Sequence, residues 1–152
     1  MNLKGLLVLI WMIVIFSFSN QPAIDSSKLS DGFINKTIIK VYEVFNGNIT
    51  KEKKEELISK YSYPVRKLAH FTVYFILGML VFIYLNNFIK NKSIIIYSLL
   101  ICFVYACTDE FHQYFVDGRY CSFIDVLIDS IGSLISILFL HIRILLRKNL
   151  KR

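Results

Sequence analysis

Residues Phe123 to Leu146 read FIDVLIDSIGSLISILFLHIRILL. The run is long enough to span a bilayer, whose hydrocarbon core of about 30 Å takes about 20 helical residues. It is not uniformly apolar. Asp125, Asp129, Gly132 and Ser136 recur at i, i+4, i+7 and i+11, which places them on one helical stripe. A carboxylate that faces lipid is costly, so the stripe must face protein. Its small residues also allow a neighbouring helix to come close. A spanning helix with an inward acidic stripe needs partner helices.

The flanking sequence supplies them. Arg66 to Leu85 is a second apolar run, and Ser93 to Thr108 a third that continues to Phe115. Leu3 to Phe18 is a fourth, interrupted only by Lys4 and Gly5. The last resembles a signal peptide in length, but the apolar remainder of the chain favours a retained helix. Four spans are expected, at about 3–19, 66–86, 93–115 and 123–146. The fold class is therefore all-α, an integral membrane four-helix bundle. Composition agrees: of 152 residues, 55% are hydrophobic and 19% charged, below the quarter or so that soluble domains carry. One membrane domain over residues 1–152 is expected.

Residues 20–65 form a polar insert between the first two spans. Phe33, Ile34, Ile38, Val41, Tyr42 and Phe45 recur at helical spacing, which predicts an amphipathic helix. Ser30 or Asp31 can cap its start and Gly47 can end it. It would lie in the interface plane or over the mouth of the bundle. A second short helix is predicted over Lys51 to Lys60. The cysteines Cys102, Cys107 and Cys121 have neither disulfide-framework nor zinc-signature spacing.

The net charge of +7 does not indicate nucleic acid, because the basic residues sit mainly where membrane topology puts them; the lysines of 20–65 are mixed with acids in a long segment and count for less. Lys4, the Lys90–Lys92 connection, and Arg143, Arg147, Lys148, Lys151 and Arg152 fall on one side of a four-span arrangement. The positive-inside rule makes that side cytoplasmic, with both termini inside. The 20–65 segment and the 116–123 turn are then outside.

Helical rise places the unusual residues at one depth. His70 lies about 6 Å below Arg66, Asp109 about 22 Å up the third span, and Asp125 and Asp129 about 3 to 9 Å into the fourth. Each helix offers one stripe: Lys67, His70 and Tyr74; Tyr105, Asp109 and His112; Asp125 and Asp129. Glu110 and Gln113 follow on the third helix, and Arg119 on the outer turn can close the cluster. Histidines and carboxylates suit acid–base chemistry near neutral pH. The same groups could hold a divalent metal. Lys67, Arg66 and Arg119 suit an anionic ligand. Residue types alone leave three readings open: a packing ion-pair network, a binding or catalytic site, and an ion or proton path.

The stretch from Arg66 to Gly78, RKLAHFTVYFILG, resembles the first signature of the VanZ-like membrane proteins. Asp109-Glu110-Phe111-His112-Gln113, followed by Gly118-Arg119, Asp125-Val126 and Gly132, is similar to the second. The resemblance covers nearly all the chain outside 25–60. It implies a bacterial plasma-membrane protein of a family whose namesake is associated with resistance to the glycopeptide teicoplanin. It supplies no reaction and no cofactor. The motif positions it shares are Lys67, His70, Asp109, Glu110, His112, Gln113, Arg119 and Asp125; Asp129 stands where the family commonly shows Asn. Taken with the residue chemistry, the expected catalytic candidates are His70, Asp109, Glu110, His112 and Asp125. The expected ligand-binding candidates are Lys67, Tyr74, Gln113, Arg119 and Asp129. The expected partners are membrane lipids, a lipid-linked cell-wall intermediate or a lipoglycopeptide.

Overall fold

The structure, a computed structural model, describes residues 2–150. Lys151 and Arg152, counted above in the basic C-terminal cluster, lie outside the described residues, as does Met1. The described residues are helical throughout, with short connections. The elements are α1 (Leu3–Ser19), α2 (Ala23–Ile34), a π turn (Asn35–Ile39), α3 (Lys40–Asn46), α4 (Lys51–Leu85), α5 (Ser93–Gln113) and α6 (Phe123–Asn149).

Helices α4, α5 and α6 are each long and apolar enough to cross a membrane. The 17 residues of α1 measure about 25 Å, just short of the core thickness of about 30 Å. Helix α1 reaches the spanning criterion only together with Ala23–Asn46, which bends away from it by 102°. The helices therefore provide three spans, or four if the bent pair counts as one.

Helix α6 packs most extensively on α4, and small residues make this possible. A β-carbon on Gly132 would sit 2.5 Å from the carbonyl oxygen of Phe71, and one on Gly78 would sit 2.7 Å from that of Ser133. The contacted atoms are backbone and cannot yield. The hydroxyl of Ser133 donates across the seam to the Tyr74 carbonyl at 3.0 Å. Tyr74, Leu77, Val81, Cys102, Ala106, Val126 and Ile15 form the core beneath the polar end. Phe82, Ile94 and Ile137 form a second cluster towards the other end, where His141 meets the Phe82 ring edge-on at 6.3 Å. Trp11 anchors α1 by donating to the Val73 carbonyl at 2.8 Å.

The insert differs from the expectation. No break separates Lys51–Lys60 from the second span: α4 is one helix of 35 residues that runs through Pro64, with Thr50 capping it by accepting from the Lys53 N–H at 3.3 Å. The amphipathic helix starts at Ala23 rather than near Ser30, and Asp31 pairs with the Ser62 hydroxyl instead of capping. The five-residue step of the π turn keeps Ile34 and Ile39 on one buried face, where they pack on Leu57. Phe33, Val41 and Phe45, expected on that same face, are left exposed. Gly47 ends α3 at φ 80°, a value that glycine adopts without strain. The third span stops at Gln113, and Gly118 at φ 72° turns the chain back towards α6.

Candidate functional site

The bend after α1 shapes the site. Asn20 closes α1 by donating its backbone N–H to the Phe16 carbonyl at 2.9 Å, and the Ala23 N–H is tied to the Asp117 carbonyl at 3.1 Å. This turns α2 aside by 102° to pack along α4, with Asp31 against Ser62 and Ser27 against Arg66. A cavity of about 440 Å³ opens between α1, α2 and α4, within the range of small-ligand sites. Ile15, Phe18, Leu29, Phe33, Leu68, Val73 and their neighbours give it apolar walls. Arg66, His70, Asp109, Gln113 and Arg119 give it one polar side. A second pocket of about 60 Å³ lies behind that side, next to Tyr63, Lys67, Tyr120 and Asp125. Arg66, His70, Gln113 and Arg119 line both spaces.

The three helices do bring the polar residues together at this end. Lys67 is paired with Asp125, linking α4 to α6, and its ammonium sits over the Tyr63 ring at 4.9 Å. Ser122 caps α6, and its own N–H donates to Glu110 Oε2 at 3.0 Å. His70 Nδ1 lies 3.5 Å from Asp129 Oδ1. His70, Glu110 and Asp129 each present a donor atom within 4.8 Å of the others. Gln113 is the hub: its amide donates to Asp109 Oδ2 at 3.4 Å and to Glu110 Oε1 at 3.2 Å, and its carbonyl oxygen accepts from Arg119 at 2.8 Å. Arg119 also donates to the Gln21 carbonyl at 2.8 Å and the Phe18 carbonyl at 3.3 Å, binding the outer turn to the end of α1.

Several buried polar atoms stay unmatched: the Tyr74 hydroxyl, the Ser19 hydroxyl, Asp109 Oδ1 and both oxygens of Asp129. Unpaired buried polar groups are rare and mark places where a protein accepts a cost for some return.

The two arginines stand out. Among the described residues, neither Arg66 nor Arg119 forms an ion pair with a carboxylate. Arg66 donates to the Ser27 hydroxyl at 2.8 Å, and its Nε is buried without a partner. Burial holds the Arg119 guanidinium below its usual range, and the positive charge of Arg66 pushes it the same way. Both guanidiniums line the two cavities, and a guanidinium suits planar, bidentate recognition of a carboxylate or phosphate.

Three residues sit differently from the expectation. Asp129, expected to bind a ligand, is fully buried and lines neither cavity. His112, placed on the Asp109 stripe, turns to the end of α1: its Nε2 lies 3.2 Å from Asn20 Oδ1 and its ring 4.5 Å from that of Phe16. It lines neither cavity. Lys67, expected to hold an anion, is already matched with Asp125. Arg66, which the sequence already suited to an anionic ligand or to anchoring a helix end, reaches both cavities.

A second group of basic residues lies at the opposite end. Lys4 donates to the Asn87 side chain at 2.8 Å, which joins the start of α1 to the α4–α5 connection near Lys90 and Lys92. Arg147 and Lys148 occupy the last turn of α6.

The family model described as VanZ/LLP1 matches residues 5–146. No curated protein and no solved structure matches the chain. With nearly its whole length covered, the chain belongs to the VanZ/LLP1 family.

Proposed function

We propose that this VanZ/LLP1-family protein binds an anionic amphiphile of the outer membrane leaflet or envelope at the polar end of its bundle. The observation that carries the reading is the shared wall. An apolar cavity of about 440 Å³ ends on Arg66 and Arg119, two guanidiniums without acidic partners. An acyl or polyprenyl chain fits the apolar side, and a phosphate or carboxylate fits the arginines. Substrate candidates are a lipid head group, a lipid-linked cell-wall intermediate and a lipoglycopeptide.

The same reading makes the protein a four-span, multi-pass protein of the bacterial plasma membrane, α1 and its bent continuation supplying the first crossing. The basic end is cytoplasmic with both termini, and the site opens outside. His70, 3.5 Å from Asp129 and lining both cavities, is the group able to exchange protons beside a bound head group, with buried Glu110 behind it. Group transfer or hydrolysis would use them, and lowered glycopeptide susceptibility would follow from either capture or modification of the amphiphile. Binding without turnover, which limits drug access, uses the same cavity. Transport ranks below both, because the cluster lies at one end of the bundle rather than at its midplane.

The test is purification in mild detergent followed by mass spectrometry of extracted lipids. Loss of one arginine removes a charge-assisted contact of about 1.5 kcal/mol, roughly tenfold in retention. R66Q and R119Q should each release the anionic species retained by wild type. Equal retention in wild type and the double variant contradicts the proposal. Incubation of reconstituted protein with cell-wall lipid intermediates then separates the two modes: an enzyme converts the pool and E110Q does not, whereas a binder leaves it unchanged in both.

A further inference from the structure

We propose that His70, Glu110 and Asp129 bind a divalent transition-metal ion, with one ligand from each of α4, α5 and α6. Their donor atoms lie within 4.8 Å of one another. Zinc ligands at 2.0 to 2.2 Å sit about 3.4 Å apart on a tetrahedron. Each donor therefore has to move inward by less than about 1 Å to close on an ion of that size.

A second observation points to a cation. Asp129 is fully buried, at 0% exposure, and neither of its oxygens has a hydrogen-bond partner. A buried carboxylate without partners is costly. The nearby protein cations do not neutralise it: His70 Nδ1 stands 3.5 Å off, beyond a close hydrogen bond, Lys67 is paired with Asp125, and Arg119 forms no ion pair with it. A divalent ion balances the charges of Glu110 and Asp129 while His70 remains a neutral ligand.

The donor set decides the class of ion. Oxygen ligands alone suit magnesium, calcium and manganese, while an imidazole shifts the preference to zinc, copper, iron or nickel. Three protein ligands leave further coordination positions, as in zinc sites that keep an exchangeable water. The second sphere is already built. Glu110 is oriented by the Ser122 N–H at 3.0 Å and the Gln113 amide at 3.2 Å, the kind of support that metal ligands require. Through His70 the ion would adjoin the wall of both cavities. The site rests on helix geometry and stands whatever occupies the apolar cavity.

The experiment uses the untagged full-length chain in detergent, stripped with a chelator and dialysed against Zn²⁺, with metal counted by elemental analysis. Wild type should retain about one ion per chain, and Co²⁺ in its place should give a visible ligand-field spectrum. D129N and E110Q should weaken binding by more than about a hundredfold, beyond the loss typical of outer-sphere changes. A C107S/C121S variant should bind as wild type, which excludes the exposed thiols. Size-exclusion profiles that match wild type certify each variant as folded. Zinc retention in folded D129N equal to that in wild type overturns the site. So does stripped wild type that takes up no zinc, and calcium or magnesium binding as tightly as zinc overturns the assigned ion class.

Discussion

Replacing Lys67 by Met tests how the polar end holds itself together. The Lys67 and Asp125 side chains are 15% and 12% exposed, and their pair joins α4 to α6. Exposed pairs contribute about 0.2 to 1 kcal/mol, whereas removing one partner of a fully buried pair costs about 3 to 5 kcal/mol. This pair sits near the buried limit but keeps slight solvent access, so K67M should cost about 2 to 3 kcal/mol. The reverse change should cost less, about 1 kcal/mol, because the long lysine stem can carry its charge towards water. The Tyr63 ring at 4.9 Å also remains for it. Asp125, short and held at the start of α6, has no such escape. The assay is reversible denaturation in mixed micelles of wild type, K67M, D125N and the double variant. The double variant should recover part of the K67M loss, giving a coupling of at least about 1 kcal/mol. Additive losses, or a D125N cost equal to that of K67M, would refute this reasoning.

Two further outcomes follow from the packing and the exposed thiols. G78V and G132L should each destabilise the bundle by about 1 to 3 kcal/mol or prevent its assembly, because backbone atoms already crowd the added β-carbon. G32A, which meets nothing within 4 Å, should instead raise the melting temperature slightly, as about 0.5 to 1 kcal/mol is gained inside a helix; loss of stability in G32A would count against the α2 placement. A membrane-impermeant maleimide added to intact cells should label Cys121, which is exposed in the α5–α6 connection, and spare buried Cys102. Labelling of Cys121 only after lysis would reverse the proposed orientation.

Much of this arrangement was legible in the sequence, for specific reasons. Apolar length gave α4, α5 and α6, and the stripe rule gave the inward faces of His70, Asp125 and Asp129, because a carboxylate in hydrocarbon is so costly that its direction is nearly forced. Gly132 and Ser136 marked the close α4–α6 seam for a similar reason. The insert was harder to read. The charged run over 51–60 reads as a separate short helix, yet α4 continues through Pro64, whose lost donor and ring clash, about 3 kcal/mol, must be offset by packing from its neighbours. Here Leu57, Ile34 and Ile39 supply that support. The π turn was invisible because a spacing of five fits no standard helical pattern. The apolar cavity was likewise beyond reach, since it arises from a 102° bend that no local motif encodes. His112 obeyed its stripe in spacing but turned towards Asn20 and Phe16, which a single-helix projection cannot anticipate.

Native mass spectrometry of the detergent-solubilised protein, wild type against A69W, tests the proposed function most directly. Ala69 lines the apolar cavity but is itself exposed, so an indole there fills the space without disturbing the core. Wild type should carry one anionic amphiphile of discrete mass, and A69W should lose it while keeping its fold. An A69W spectrum with the same adduct as wild type, or a wild-type spectrum with only neutral or random lipid, would contradict the account.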